Sequence, residues 1–180
     1  LIRLTCDAGR QMLETAELIR SHGICVDEIS MGSTPGCRVG ASVEGITEWR
    51  PGTYVFNDMN ETTLATPMME CALTVLATVV SHPAPQRFIL DAGSKTLTSD
   101  KSLTQGYGYI KEAPQASIER LSEEHAVVIA EKKDALEIGQ RVEIIPNHVC
   151  PVINLMDHVY VYRGNQFVGV WHVEARGKII

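Results

Sequence analysis

The stretch Glu70-Cys71-Ala72-Leu73-Thr74-Val75-Leu76-Ala77-Thr78-Val79-Val80 divides the chain into two kinds of sequence. From Thr74 onward it is dense in β-branched residues, which suit a pleated, half-buried surface. Similar runs follow at residues 87–90, 126–129, 141–145 and 159–162. Gly164-Asn165 then turns the chain into residues 167–173, the pattern of a hairpin. Residues 73–180 therefore read as a mainly antiparallel β-domain.

Upstream the rhythm differs. Residues 7–22 keep Leu13, Ala16, Glu17 and Arg20 at helical spacing, with Gly23 suited to the helix end. Residues 24–31 form a β-like run that closes on Gly32-Ser33-Thr34-Pro35-Gly36. Arg50-Pro51-Gly52 introduces a second such run, Tyr54-Val55-Phe56, and residues 60–71 read as helical around an irregularity at Pro67. Alternating helix and strand is the rhythm of a parallel α/β architecture, so residues 1–72 are assigned to one. The fold class is α/β plus β.

The chain has 180 residues and a formal charge of −6, which argues against nucleic acid as a partner because phosphate neutralisation needs a basic face. No apolar run approaches the ~20 residues of a membrane helix, so no membrane partner is expected. Cys6, Cys25, Cys37, Cys71 and Cys150 are odd in number and contain no CxxC pair. Free thiols of this kind fit a reducing cytoplasm, and a cytoplasmic location is the expectation.

Two motifs carry chemistry. The loop Gly32-Ser33-Thr34-Pro35-Gly36 offers backbone N–H groups and small hydroxyl side chains to an anion such as phosphate. It also reads as an ordinary polar turn. Asn147-His148-Val149-Cys150 sets two potential metal ligands at i and i+2, which on an extended segment face the same side. Imidazole nitrogen with thiolate sulfur favours Zn²⁺ over Mn²⁺ or Mg²⁺. Two ligands leave positions open for substrate and water. The alternative is a buried cysteine beside a hydrogen-bonded histidine. Ser122-Glu123-Glu124-His125 places an imidazole beside two acids, as proton transfer needs, although surface histidines show the same pattern. His22, His82, His158 and His172 have no partner by spacing and are taken as structural.

In order along the chain, Gly32-Ser33-Thr34-Pro35, Arg50-Pro51-Gly52-Thr53-Tyr54-Val55-Phe56-Asn57-Asp58, Asp91-Ala92-Gly93, Glu123-Glu124-His125, Pro146-Asn147-His148-Val149-Cys150 and Ala175-Arg176-Gly177-Lys178 resemble the D-serine dehydratase and D-threonine aldolase group of pyridoxal-phosphate (PLP) enzymes. The resemblance runs from about Ser30 to the end and implies the alanine-racemase-like fold. Residues 1–72 would be the last part of a PLP-binding (β/α)₈ barrel, and residues 73–180 the β-domain with the metal ligands. Gly32, Ser33 and Thr34 would hold the cofactor phosphate, with Tyr54 near the cofactor. His148 and Cys150 would hold Zn²⁺, or Mn²⁺, and His125 is the catalytic candidate.

The same resemblance implies a homodimeric lyase acting on a small D-amino acid, with the N-terminal half of the barrel as a further partner. D-Serine-type elimination to a keto acid and ammonia is the first reading. Retro-aldol cleavage of the D-threonine type is the second, and a non-catalytic metal-binding β-domain is the third. The family's Schiff-base lysine belongs to an early barrel strand. None of Lys95, Lys101, Lys111, Lys132, Lys133 and Lys178 has that context, so the chain alone is expected to be inactive.

Overall fold

The computed structural model of the chain describes residues 1–40, 43–64 and 66–178. A long helix, α1 (Ile2–Ser21), opens the fold. Its last turn is closed by bonds from the His22 and Gly23 amides to Ile19 O and Arg20 O, with Gly23 at φ +80°. Small residues on α1 let its neighbours approach closely: Thr5, Gly9 and Ala16 are its buried positions. It lies on α2 (Thr34–Gly40), where a Cβ on Gly40 would come within 2.7 Å of the Trp49 ring and closer still to Thr5.

Strand β1 (Ser30–Gly32) leads into α2, and the chain returns as β2 (Glu48–Arg50), parallel to β1 with Gly32 opposite Arg50. This is one β-α-β crossover, the expected parallel motif. Two expectations are corrected here. Residues 24–29 are not strand, since only Ser30–Gly32 finds a partner. Tyr54-Val55-Phe56, despite its β-forming composition, lies in and just after a 3₁₀ turn, Thr53–Val55. Local bonds win over a ladder: the Phe56 and Asn57 amides both donate to Thr53 O, and Asn57 adopts φ +54°. Of the stretch 60–71 expected to be helical, α3 (Met59–Thr62) and a 3₁₀ turn, Met68–Glu70, are observed, while residue 65 lies outside the described residues.

The β-domain begins where the sequence changes character. Its strands are β3 (Val75–Ala84), β4 (Arg87–Leu90), β5 (Tyr109–Ile110), β6 (Ser117–Leu121), β7 (Ala126–Ile129) and β8 (Arg141–Ile145). They form a six-stranded antiparallel sheet in the order β5-β8-β3-β4-β7-β6. The long, bulged β3 pairs with β8 through its first half and with β4 through its second. The sheet curls until its two edges meet, and the Tyr107 amide donates to Ile118 O at 3.1 Å across the gap. Gly106 permits this approach: it sits at φ +83°, and a Cβ there would lie 2.7 Å from Ile118 O.

Inside, alternate residues of each strand build one core: Val75, Ala77 and Val79 from β3, Phe88 and Leu90 from β4, and Val142 and Ile144 from β8. Leu97 of α4 (Ser94–Leu97) and Val152 of α5 (Val149–Leu155) complete it. Strands β9 (His158–Arg163) and β10 (Gln166–His172) form a separate hairpin through Gly164-Asn165, as expected. No helix among the described residues is long and apolar enough to cross a membrane.

Candidate functional site

The metal-ligand candidates lie where β8 passes into α5. His148 is the residue before the helix, with extended backbone at φ −138° and ψ 107°, and Cys150 is in the helix's first turn. The pair therefore spans a strand-to-helix junction, which corrects the expectation of one extended segment. Val149 between them is buried against the core, whereas Cys150 is exposed and His148 half-buried.

His148 is held by a residue that its own sequence neighbourhood does not contain. Its Nδ1 donates to Oδ2 of Asp100 at 2.7 Å. For a neutral imidazole, a carboxylate acceptor at Nδ1 selects the tautomer whose Nε2 carries the lone pair. Asn147, fully buried, secures the same loop from beneath: its Nδ2 donates to Asp100 O at 3.0 Å and to Gly106 O at 2.9 Å. The second candidate also has a polar neighbour, the hydroxyl of Thr53 lying 3.7 Å from Cys150 Sγ. Among the described residues, no group of three or more His, Cys, Asp or Glu side chains could hold a metal ion. His148 and Cys150 remain the nitrogen and sulfur candidates at this junction.

The phosphate-loop candidates meet this region through the same turn. The Tyr54 amide donates to the Thr34 hydroxyl at 3.1 Å, while its neighbour Thr53 touches Cys150. The Tyr54 side chain itself is exposed. The Ser33 hydroxyl accepts from the Gly36 amide at 3.0 Å, capping α2, with Ser33 in the left-handed region at φ +77°. Among the described residues both hydroxyls only accept, which leaves an O–H donor on the exposed Ser33 and on the buried Thr34. Gly32 is exposed, and among the described residues the one group near the place of its absent Cβ is the Arg50 guanidinium, at 3.8 Å. A small residue, two free O–H donors and a cation are the donor set an anionic phosphate needs, so these residues fit that group.

His125 belongs to a different turn. It closes the turn Ser122–His125, in which the Ser122 amide donates to His125 O at 2.9 Å. That turn is clasped by the residues after β4: the Ser94 and Lys95 amides donate to Ser122 O and Glu123 O at 2.8 and 3.1 Å. Lys95 Nζ also pairs with Glu124 at 2.6 Å, an exposed contact. Gly93 allows the crossing, since a Cβ there would run into the Ser122 and Glu123 carbonyls. Two of the sequence motifs thus form one substructure. The His125 imidazole is exposed and has no hydrogen-bond partner among the described residues.

Asp100, Arg50 and Thr53 were not singled out from sequence. For Arg50 and Thr53 a signal existed, since both stand in the Arg50–Asp58 motif. Asp100 is an acid in a polar loop, and nothing local marks it.

Comparison with known proteins agrees with this fold. The model of the putative serine dehydratase domain matches residues 72–162. The D-threonine aldolase of Arthrobacter sp. is 34% identical over 174 residues, spanning 94% of this chain and 45% of that protein. The D-threo-3-hydroxyaspartate dehydratase of Delftia sp. strain HT23 is 30% identical over 157 residues, 77% of this chain and 41% of that protein. Among solved structures, the D-threonine aldolase of Filomicrobium marinum superposes with a TM-score of 0.83 at 26% identity, covering 99% of this chain and 49% of that one. The chain belongs to the D-serine dehydratase and D-threonine aldolase family, with the antiparallel domain as its C-terminal domain. It spans about half the length of these two curated enzymes.

Proposed function

We propose that this chain supplies the metal pair and the cofactor-phosphate loop of a PLP- and zinc-dependent lyase that eliminates water from a small D-hydroxy amino acid, giving a keto acid and ammonia. The observation that carries the reading is the Thr53–Tyr54 turn, which touches Thr34 of the phosphate loop and Cys150 of the metal pair at once. A reaction that needs both groups on one substrate needs such an arrangement.

When bound, PLP supplies an electron sink at the substrate's Cα, and zinc supplies a Lewis acid for its β-hydroxyl. The chain's own residues do the rest. Ser33 and Thr34 would donate their hydroxyl hydrogens to the phosphate, with Arg50 as counter-charge. His148 Nε2 and Cys150 Sγ would hold the ion, and Asp100 would keep the imidazole in the tautomer that can do so. His125 is the proton-transfer residue of this reading. The barrel strands beyond β1 and β2, the Schiff-base lysine and the second protomer of a homodimer come from outside these residues.

Two features favour elimination by a zinc enzyme. A thiolate beside an imidazole is a borderline-soft set, suited to zinc before manganese. The D-threo-3-hydroxyaspartate dehydratase has been solved as a histidine-to-alanine variant and as a cysteine-to-alanine variant in a metal-free form, and those two residues lie two apart, the spacing of His148 and Cys150.

The test uses the enzyme extended to the length of its relatives, given D-serine and assayed for pyruvate and ammonia. Activity should vanish on chelation and return with zinc, and His125→Ala should lower turnover with zinc still bound. Glycine and an aldehyde from D-threonine as the main products would move the assignment to the aldolase. Metal binding without PLP binding would leave only a structural metal domain.

A further inference from the structure

Asp58 is fully buried, although it carries a carboxylate. Among the described residues it has no salt bridge. Burying an unpaired carboxylate is expensive unless hydrogen bonds compensate. Asp58 has two, both from backbone amides. Its Oδ1 accepts from Glu61 N at 3.0 Å, the ordinary cap of α3. Its Oδ2 accepts from Val149 N at 2.8 Å, a residue 91 positions away.

The cap explains neither the charge nor the burial, since Ser, Thr or Asn would cap α3 as well. The second bond does. Val149 lies between His148 and Cys150, so Asp58 holds the first of the two peptide groups that separate the ligand candidates, the one joining His148 to Val149. The neighbouring backbone supports it: Met59 N donates to Pro146 O at 3.0 Å and Asn60 N to Asn147 O at 3.2 Å. The start of α3 therefore runs along residues 146–149, and one carboxylate oxygen fixes the orientation of the Val149 amide. Five residues before Asp58, Thr53 lies against Cys150.

We infer that Asp58 is the positioning residue of the metal pair: through the Val149 amide it sets the relative placement of His148 Nε2 and Cys150 Sγ, and ties that placement to the segment carrying the cofactor contacts. The inference rests on the proposed metal site. Asp58 is not a ligand in it.

The experiment titrates the enzyme extended to the length of its relatives, freed of metal, with cobalt(II), a spectroscopic stand-in for zinc whose bond to a thiolate gives a charge-transfer band. Asp58→Ser keeps a side-chain cap for α3 but is too short to reach Val149 as well. Asp58→Asn keeps one acceptor oxygen and perturbs the fold least. Amide exchange at Val149 is read in the metal-free proteins. The expected result is that Asp58→Ser, still folded, exchanges Val149 faster, binds cobalt about 10- to 100-fold more weakly and shows an altered band, with Asp58→Asn in between. Wild-type affinity and an unchanged band in a folded Asp58→Ser protein overturn the inference alone. If Asp58→Ser does not fold, Asp58→Asn decides: weakened cobalt binding at an unchanged melting temperature supports the inference, and wild-type binding overturns it. A wild-type chain that shows no thiolate–cobalt band overturns the metal site itself, and this inference with it.

Discussion

Asp100 accepts a hydrogen bond from His148 Nδ1 at 2.7 Å, although 48 residues separate them. The bond matters because a neutral imidazole offers one lone pair, and its partner decides which nitrogen carries it. Replacing Asp100 by Ala removes that choice while leaving the exposed loop otherwise intact. Zinc affinity should fall about 10- to 100-fold, as for other residues that orient a metal-binding histidine. Competition against a colorimetric zinc chelator measures it, and an unchanged affinity would rule out the orienting role.

Cys150 should decide which metal the site prefers. A Cys150→Asp change replaces a soft donor with a hard one beside the same imidazole. The preference should move from zinc toward manganese, seen as a reversed order of the two dissociation constants by calorimetry. Retention of strong zinc selectivity would show that geometry, not donor softness, sets the choice.

Gly93 is a position where a single methyl group should disturb the fold. A Cβ there meets the backbone carbonyls of Ser122 and Glu123, which have no rotamer by which to move aside. Gly93→Ala should therefore destabilise the β-domain by about 1–3 kcal/mol or more, the usual cost of overpacking. Chemical denaturation gives the value. Because Ser94 and Lys95 clasp the Ser122–His125 turn, loosening should appear first in the amide exchange of residues 122–125.

Cys71 should be the slow thiol of this protein. Burial pushes its pKa up to about 11, helped by the negative charges of Asp58, Glu70 and Glu61. Only the thiolate alkylates, so at pH 8 the exposed Cys25 and Cys150 should react with iodoacetamide before Cys71 does. The same shift has a stability consequence. The unfolded thiol ionises near ~8.5, so above that pH the unfolded chain loses a proton that the folded chain keeps. The stability contribution is complete below that pH and is lost as pH rises towards 11. Cys71→Ala should flatten this part of the stability curve, and a slope identical to wild type would contradict the shift.

Four strands of the sheet, the terminal hairpin and the family are legible in the sequence alone. These depend on local composition and short-range pattern: β-branched runs such as Arg141–Ile145 need only a half-buried face, and Gly164-Asn165 needs only its own turn. Strands β5 and β6 escaped because Tyr109–Ile110 is too short and Ser117–Leu121 too polar to show a pattern; pairing with β8 and β7 makes them strands. Tyr54-Val55-Phe56 has the composition of a strand, yet bonds to Thr53 O and Tyr54's contact with Thr34 hold it near a turn. The candidate site divides the same way. His148 and Cys150 were legible because their spacing is local. Only the tertiary structure brought Asp100 to His148, Thr53 to Cys150 and Asp58 to Val149, because contacts 48, 97 and 91 residues apart along the chain are decided by how the sheet curls and where α5 comes to rest.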